Sequence, residues 1–363
     1  MRSPRRVLHR LAVTAGIGLV ACGAPGHEPL DERVARLLAD YDGNDRPGAC
    51  VLARHAGAVV HQGCVGLAEV ETGRAATPAT NFRLASLTKQ FTATAILSLV
   101  ADGRITTTTT LRSVFPDFPP WADDVTIHHL MTHTAGLVDY EDLMPADDDR
   151  QITDAGVLAL LRAQDSTYFP PGSAFRYSNS AYAVLAQIVE AVRGQRFGPF
   201  LHQVVFAPVG MTGTVAHVDG QTTVADRAFG YSRQDDGSWV RTDQSPTSAV
   251  LGDGGIYTSL RDLDRWFAVL EGRDSLLPPA LAEAALTPGT ATGGEDEHYG
   301  YGWFLDRPDG RRRYRHEGST IGFRNAVQRF PDEDLTVVLL TNRNEIAAGL
   351  VDSLVAAVRG RRS

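Results

Sequence analysis

Ser86 and Lys89 stand three residues apart in the stretch FRLASLTKQFTATAILSLV, and Lys89 is the only lysine in 363 residues, the other 34 basic side chains being arginine. Drift in an arginine-favouring composition would leave a last lysine anywhere. Chemistry gives a reason for this position: arginine keeps its proton in any protein environment, whereas a desolvated lysine can release its own and act as a base. On a helix, residues three apart lie one turn apart on the same side, so Ser86 and Lys89 face each other. Serine is a weak nucleophile until a neighbouring base takes its proton. The apolar run that follows ends at Gly103 and puts Ser86 where a helix N-cap sits. The positive end of that helix favours both an alkoxide and an anionic intermediate. By itself S-x-x-K is a common pattern, and the solitary lysine is what singles this one out.

Two later segments carry further candidates. In FPPGSAFRYSNSAYAVLAQ a Pro-Pro-Gly turn delivers Tyr177-Ser178-Asn179 to the start of an apolar helix, and YRHEGSTIGFRN places His316-Glu317-Gly318 on a β-like run. Taken singly, Tyr177 also reads as a helix-packing aromatic and Asn179 as an N-terminal cap. His129 and His133 have the helical spacing of metal ligands, but no glutamate follows the first histidine as H-E-x-x-H requires. Neither a metal nor a cofactor is expected.

The elements that must position these residues follow from periodicity. LDERVARLLADYDG spaces Leu30, Val34, Leu37 and Leu38 on one helical face. A hairpin over 48–67 turns near Ala56-Gly57. Cys50 and Cys64 flank that turn and would lie nearly opposite each other, as a cross-strand disulfide or as two buried thiols. Residues 107–250 are richer in Pro, Asp and short helical patterns, whereas alternation returns in RRRYRHEG, FRNAVQRF and LTVVLLTN before a closing helix, IAAGLVDSLVAAVRG. Strands near both ends with helices between them predict an α+β fold: an antiparallel sheet built from both chain ends and flanked by helices, with a mainly helical inserted domain. The expected boundaries are 30–106 and 251–363 for the α/β part and 107–250 for the insertion.

The amino terminus reads MRSPRRVLHR, then LAVTAGIGLVA, then Cys22, a basic region before an apolar core too short to span a bilayer. Leu19-Val20-Ala21-Cys22 looks like a bacterial lipobox. The expectation is a signal peptide over 1–21, lipidation of Cys22, a tether over 22–29, and an exported protein anchored to a membrane. The leader holds four arginines and no acid, so its removal takes the net charge from −8 to −12. Such acidity argues against a nucleic-acid partner.

Together the three chemical segments resemble the serine β-lactamase and penicillin-binding-protein superfamily, in its branch with class C β-lactamases, D,D-peptidases, D-aminopeptidases and related esterases. Ser86-x-x-Lys89 matches the first motif, Tyr177-x-Asn179 the second, and His316-x-Gly318 the histidine form of the third. LMTHTAGL at 130–137, GDGGIYTSLRDLDRW at 252–266 and YGYGWF at 299–304 are also similar, and the resemblance runs from about residue 30 to 358. It implies that Ser86 attacks an acyl carbon of a small-molecule or peptide substrate while Lys89 and Tyr177 share the proton work. It further implies an oxyanion hole from the backbone N–H groups of Ser86 and Ser319, and a role for Asn179 in holding the acyl-side amide. His316, in place of the more frequent lysine, is expected to be a weaker, pH-sensitive cation. Glu317 stands at the middle of the third motif. Facing the cleft, it would repel anionic substrates and favour neutral esters or amides with a free amine; strand alternation would instead turn it outward, and Arg324 could supply a compensating charge. A non-hydrolytic receptor for cell-wall fragments is the competing class, but such domains commonly lose the serine or the lysine, and both are present.

Overall fold

The computed structural model describes residues 28–145 and 149–360; the leader, Cys22 and most of the tether lie outside them. Its centre is an eight-stranded antiparallel sheet drawn from both chain ends. The amino-terminal part supplies β1 (Ala49–His55) and β2 (Ala58–Val65). The carboxy-terminal part supplies three short strands, β3 (Thr290–Ala291), β4 (His298–Tyr299) and β5 (Phe304–Asp306), and three long ones, β6 (Arg313–Thr320), β7 (Phe323–Phe330) and β8 (Leu335–Thr341). The spatial order is β3-β4-β5-β6-β7-β8-β1-β2, so the last long strand closes on the first.

Both faces of the sheet are covered, which is why β8 reads as the unbroken apolar run LTVVLLT rather than an alternation. On one face Val51, Ala53, Val337 and Leu339 pack under α1 (Leu30–Leu37) and the closing α-helix Leu350–Arg359. On the other, Cys50, Leu52, Val338 and Leu340 join a larger core. That core contains α2 (Lys89–Ala101), α3 (Asp154–Arg162), α4 (Asn179–Arg193) and α5 (Leu260–Leu270). The helical character expected of 107–250 belongs to its part before Gly210. Beyond it the chain runs in loops with three two- or three-residue strands.

Local chemistry fixes the edges. Ala56 (φ 48°) and Gly57 (φ 78°) give the left-handed pair that a tight hairpin between β1 and β2 needs. Cys50 and Cys64 are register partners across that hairpin and are joined in a disulfide. The bridge closes a loop of 14 residues in sequence, so the double variant Cys50→Ala/Cys64→Ala should lose about 3 kcal/mol of stability, read as a lower urea midpoint at unchanged slope. No helix among the described residues is long and apolar enough to cross a membrane.

Candidate active site

Between Asn81 and Gln90 every residue is buried except Ser86. Ser86 is not the N-cap of a regular helix: it lies inside a 3₁₀ turn, Ala85–Thr88, from which α2 continues at Lys89. The tighter turn has a physical consequence. In 3₁₀ geometry side chains at i and i+3 eclipse, and Lys89 donates from Nζ to Ser86 Oγ at 3.0 Å. Ala85 enters the turn with a φ of 50° while almost fully buried, a strained backbone held by its surroundings immediately before the serine.

Lys89 is fully buried and places its other two donors on Asn179 Oδ1 (2.9 Å) and the Asp253 carbonyl (3.0 Å). All three acceptors are uncharged oxygens. Asp154 sets the third, because its carboxylate accepts from the N–H groups of Leu251 and Gly252 at 2.9 Å each and so fixes the backbone leading to Asp253. Burial pushes the Asp154 carboxyl up to about 8 and the Asp253 carboxyl up to about 6, the latter against the pull of Lys89 and Arg83.

Tyr177 turns its ring toward the same ammonium, with Nζ 4.9 Å from the centroid. Its ring stacks on Phe304 (6.1 Å between centroids) and lies 4.3 Å from that of His133. The tyrosine hydroxyl is buried and has no hydrogen-bond partner among the described residues. Its loop is templated by LMTHTAGL: His133 O accepts from Arg176 N, Thr134 O from Gly172 N and Gly136 O from Tyr168 N. Asn179 is the first residue of α4 rather than its cap, because Ser178 caps the helix by accepting from Ala181 N. With its Oδ1 on Lys89, Asn179 donates from Nδ2 to Glu141 Oε1 at 3.1 Å.

The third motif approaches from β6. β5 pairs only with Arg313–Arg315, so β6 presents an open edge from His316 onward. A Cβ on Gly318 would sit 2.1 Å from Leu84 O, so only glycine lets this strand lie against the turn that carries Ser86. Ser86, Asn179, Glu141, Ser319 and Thr320 line one small pocket. His316 corrects the expectation of a pH-sensitive cation. It is buried; its Nδ1 donates to Glu317 O (2.7 Å) and its Nε2 accepts from Tyr299 (3.0 Å). Burial, with Lys89 nearby, pushes its pKa down to about 3, so the imidazole is neutral at any working pH. An imidazole ¹⁵N spectrum at pH 5 should still show the neutral Nδ1–H tautomer; a charged ring there would refute the assignment.

Glu317 is exposed between buried His316 and Gly318 and does not line the pocket. The pocket's lining instead holds two carboxyl groups, exposed Glu141 and buried Asp253, together with the buried Arg83. Arg324, the register partner of Ser319 on β7, donates to Thr320 O (2.8 Å) and Phe323 O (3.0 Å). His129 and His133 face different partners: His129 Nδ1 accepts from Thr126 N and His133 Nδ1 from Ser178 N. No cluster of metal-ligating side chains occurs among the described residues.

A serine nucleophile, a lysine and tyrosine at its side and an open strand edge are the parts of an acyl-transfer centre. Residues 31–358 match the Beta-lactamase family. The chain belongs to that family. It is 30 % identical to Penicillin-binding protein 4* of Bacillus subtilis over 81 % of this chain and 68 % of that one. It is also 30 % identical to Esterase EstB of Burkholderia gladioli, over 90 % and 94 % of the two chains. To a D-aminopeptidase of Brucella anthropi it is 29 % identical over 86 % of its length, spanning 59 % of that protein. The penicillin-binding protein homologue of Pyrococcus abyssi superposes with a TM-score of 0.79 at 24 % identity, over 92 % of this chain and 77 % of that one; this likeness speaks to fold. This member of the Beta-lactamase family is a serine hydrolase of amides or esters.

Proposed function

We propose that Ser86 forms an acyl-enzyme with neutral esters and with amides that carry a free amine, D-amino-acid amides or peptides among them, in an exported protein anchored through a lipid on Cys22. Ser86 Oγ attacks the acyl carbon, its proton passes to the Lys89–Tyr177 pair, and the same pair returns a proton to the departing amine or alcohol. Water then repeats the sequence on the acyl-enzyme. The N–H groups of Ser86 and Ser319 stabilise the oxyanion.

The observation that carries the substrate class is the Glu141 carboxylate, held by Asn179 in the pocket of Ser86, opposite a third motif whose histidine is neutral. A carboxylate at that point attracts an ammonium and repels a substrate carboxylate. The D-aminopeptidase and esterase among the relatives agree with this reading. A β-lactam or acyl-D-Ala-D-Ala substrate is the second reading, supported by the Arg324 guanidinium at Thr320 O. The test compares a D-amino amide, a short-chain nitrophenyl ester, a chromogenic cephalosporin and an acyl-D-Ala-D-Ala peptide. The amide should exceed the cephalosporin in kcat/KM, and Glu141→Gln should cut that ratio by about tenfold or more, whereas Glu317→Thr, out in solvent, should leave it within twofold or so. Efficient cephalosporin hydrolysis that Glu141→Gln does not alter would favour the second reading. For the anchor, Cys22→Ser should move the protein from membrane fractions to a soluble or unprocessed pool, and retention in high salt would contradict it.

A further inference from the structure

The Tyr177 hydroxyl is held by no hydrogen bond among the described residues. Its place is therefore set by the packing of the ring and by the backbone of its two chain neighbours. His133 touches all three. Its carbonyl accepts from Arg176 N at 3.0 Å, its Nδ1 accepts from Ser178 N at 3.1 Å, and its ring centroid lies 4.3 Å from that of Tyr177. The rings of His316, Phe304 and Tyr299 stand farther off, at 6.0–6.2 Å.

Histidine suits this position for reasons of backbone and of charge. His133 has a φ of 60°, a left-handed conformation in which histidine, asparagine and aspartate are several-fold enriched among non-glycine residues. A backbone N–H can only donate, so Nδ1 is unprotonated and the neutral ring carries its proton on Nε2. Burial, with Lys89 and His316 nearby, pushes the pKa well below its usual value and keeps this form. The buried Nε2 has no partner among the described residues. An unmet buried donor costs stability, and an apolar ring of similar shape would pack here without that cost. What the imidazole supplies is an acceptor for Ser178 N in the same plane that lies against Tyr177.

We propose that His133 is a positioning residue that holds Tyr177 beside the Lys89 ammonium, an inference that rests on the reading of Tyr177 as a carrier of the reaction's proton. His133 does not line the pocket of Ser86, so it reaches the reaction through Tyr177 rather than by touching substrate.

The test is a mutant cycle read as kcat/KM on a nitrophenyl ester. His133→Ala removes both ring and acceptor and should cost about 10²-fold, the scale of loss from a small misplacement of a catalytic group. His133→Asn offers a carboxamide oxygen to Ser178 N and tolerates the left-handed backbone; it should recover about tenfold of that loss. Combined with Tyr177→Phe, either change should cost less than about threefold more, because the hydroxyl that His133 serves is gone. A purely structural role would lower the rate by the same factor in both backgrounds. That result, parental turnover by folded His133→Ala, or an asparagine variant no better than the alanine one would each overturn the proposal. Should His133→Ala fail to fold, the cycle with His133→Asn decides by the same comparison. Near-parental turnover of Tyr177→Phe alone would remove Tyr177 from the chemistry and the proposal with it, whereas equal losses in both backgrounds with Tyr177→Phe itself crippled would remove His133 only.

Discussion

Lys89→Arg is expected to abolish acylation as completely as Ser86→Ala does, a loss on the order of 10⁴-fold in kcat/KM. Charge is conserved in this substitution, and the ability to give up a proton is not. Geometry adds a second obstacle: Nζ meets Ser86 Oγ, Asn179 Oδ1 and the Asp253 carbonyl within 2.9–3.0 Å, a compact three-way contact that a planar fork cannot reproduce. Arginine also overfills a site with no exposed surface, at about 1–3 kcal/mol. The variant should still give the parental far-UV spectrum, so that lost turnover is read as lost chemistry. Turnover comparable to the parent would mean that the lysine serves only as a charge.

Tyr177→Phe should separate activity from stability in a way few buried substitutions do. Because the hydroxyl has no hydrogen-bond partner among the described residues, deleting it breaks no contact and removes an unsatisfied buried polar atom. Stability should be unchanged or raised by about 1 kcal/mol. The ring contacts with His133 and Phe304 and over Lys89 remain. Catalysis should nonetheless fall about 10²–10⁴-fold if the hydroxyl carries a proton in the reaction. Thermal denaturation and kcat/KM on a nitrophenyl ester, measured on one preparation, read both quantities. A destabilised variant with near-parental kcat/KM would make Tyr177 a packing residue.

The parts of this site that were legible in the sequence are those whose function travels with residue type at short range. Ser86 and Lys89 are local neighbours, whereas Tyr177-x-Asn179 and His316-x-Gly318 gain their meaning only from the family resemblance that the three segments carry together. The sheet was legible for a related reason, since β6 and β7 show strand alternation and β8 is a short continuous apolar run buried on both faces. What could not be read depends on burial and on distant backbone. The Asp253 carbonyl on Lys89 comes from 164 residues away, and a carbonyl leaves no mark in residue type. His316 looks like a cation until its burial and its bond with Tyr299 are known. Glu141 sits among three other acids in VDYEDLMPAD with nothing to set it apart, and only the fold brings it to Asn179. Ser86 reads as a helix cap because the sequence does not distinguish an α from a 3₁₀ first turn.

The central claim, that Ser86 is a nucleophile activated by the buried Lys89, is tested most directly by intact mass after incubation with a serine-reactive phosphonate. The parent should gain one phosphonyl group and no more, mapped by peptide digestion to Ser86. Ser86→Ala and Lys89→Arg should gain none under the same conditions. An unmodified parent, an adduct on another serine, or full labelling of Lys89→Arg would contradict it.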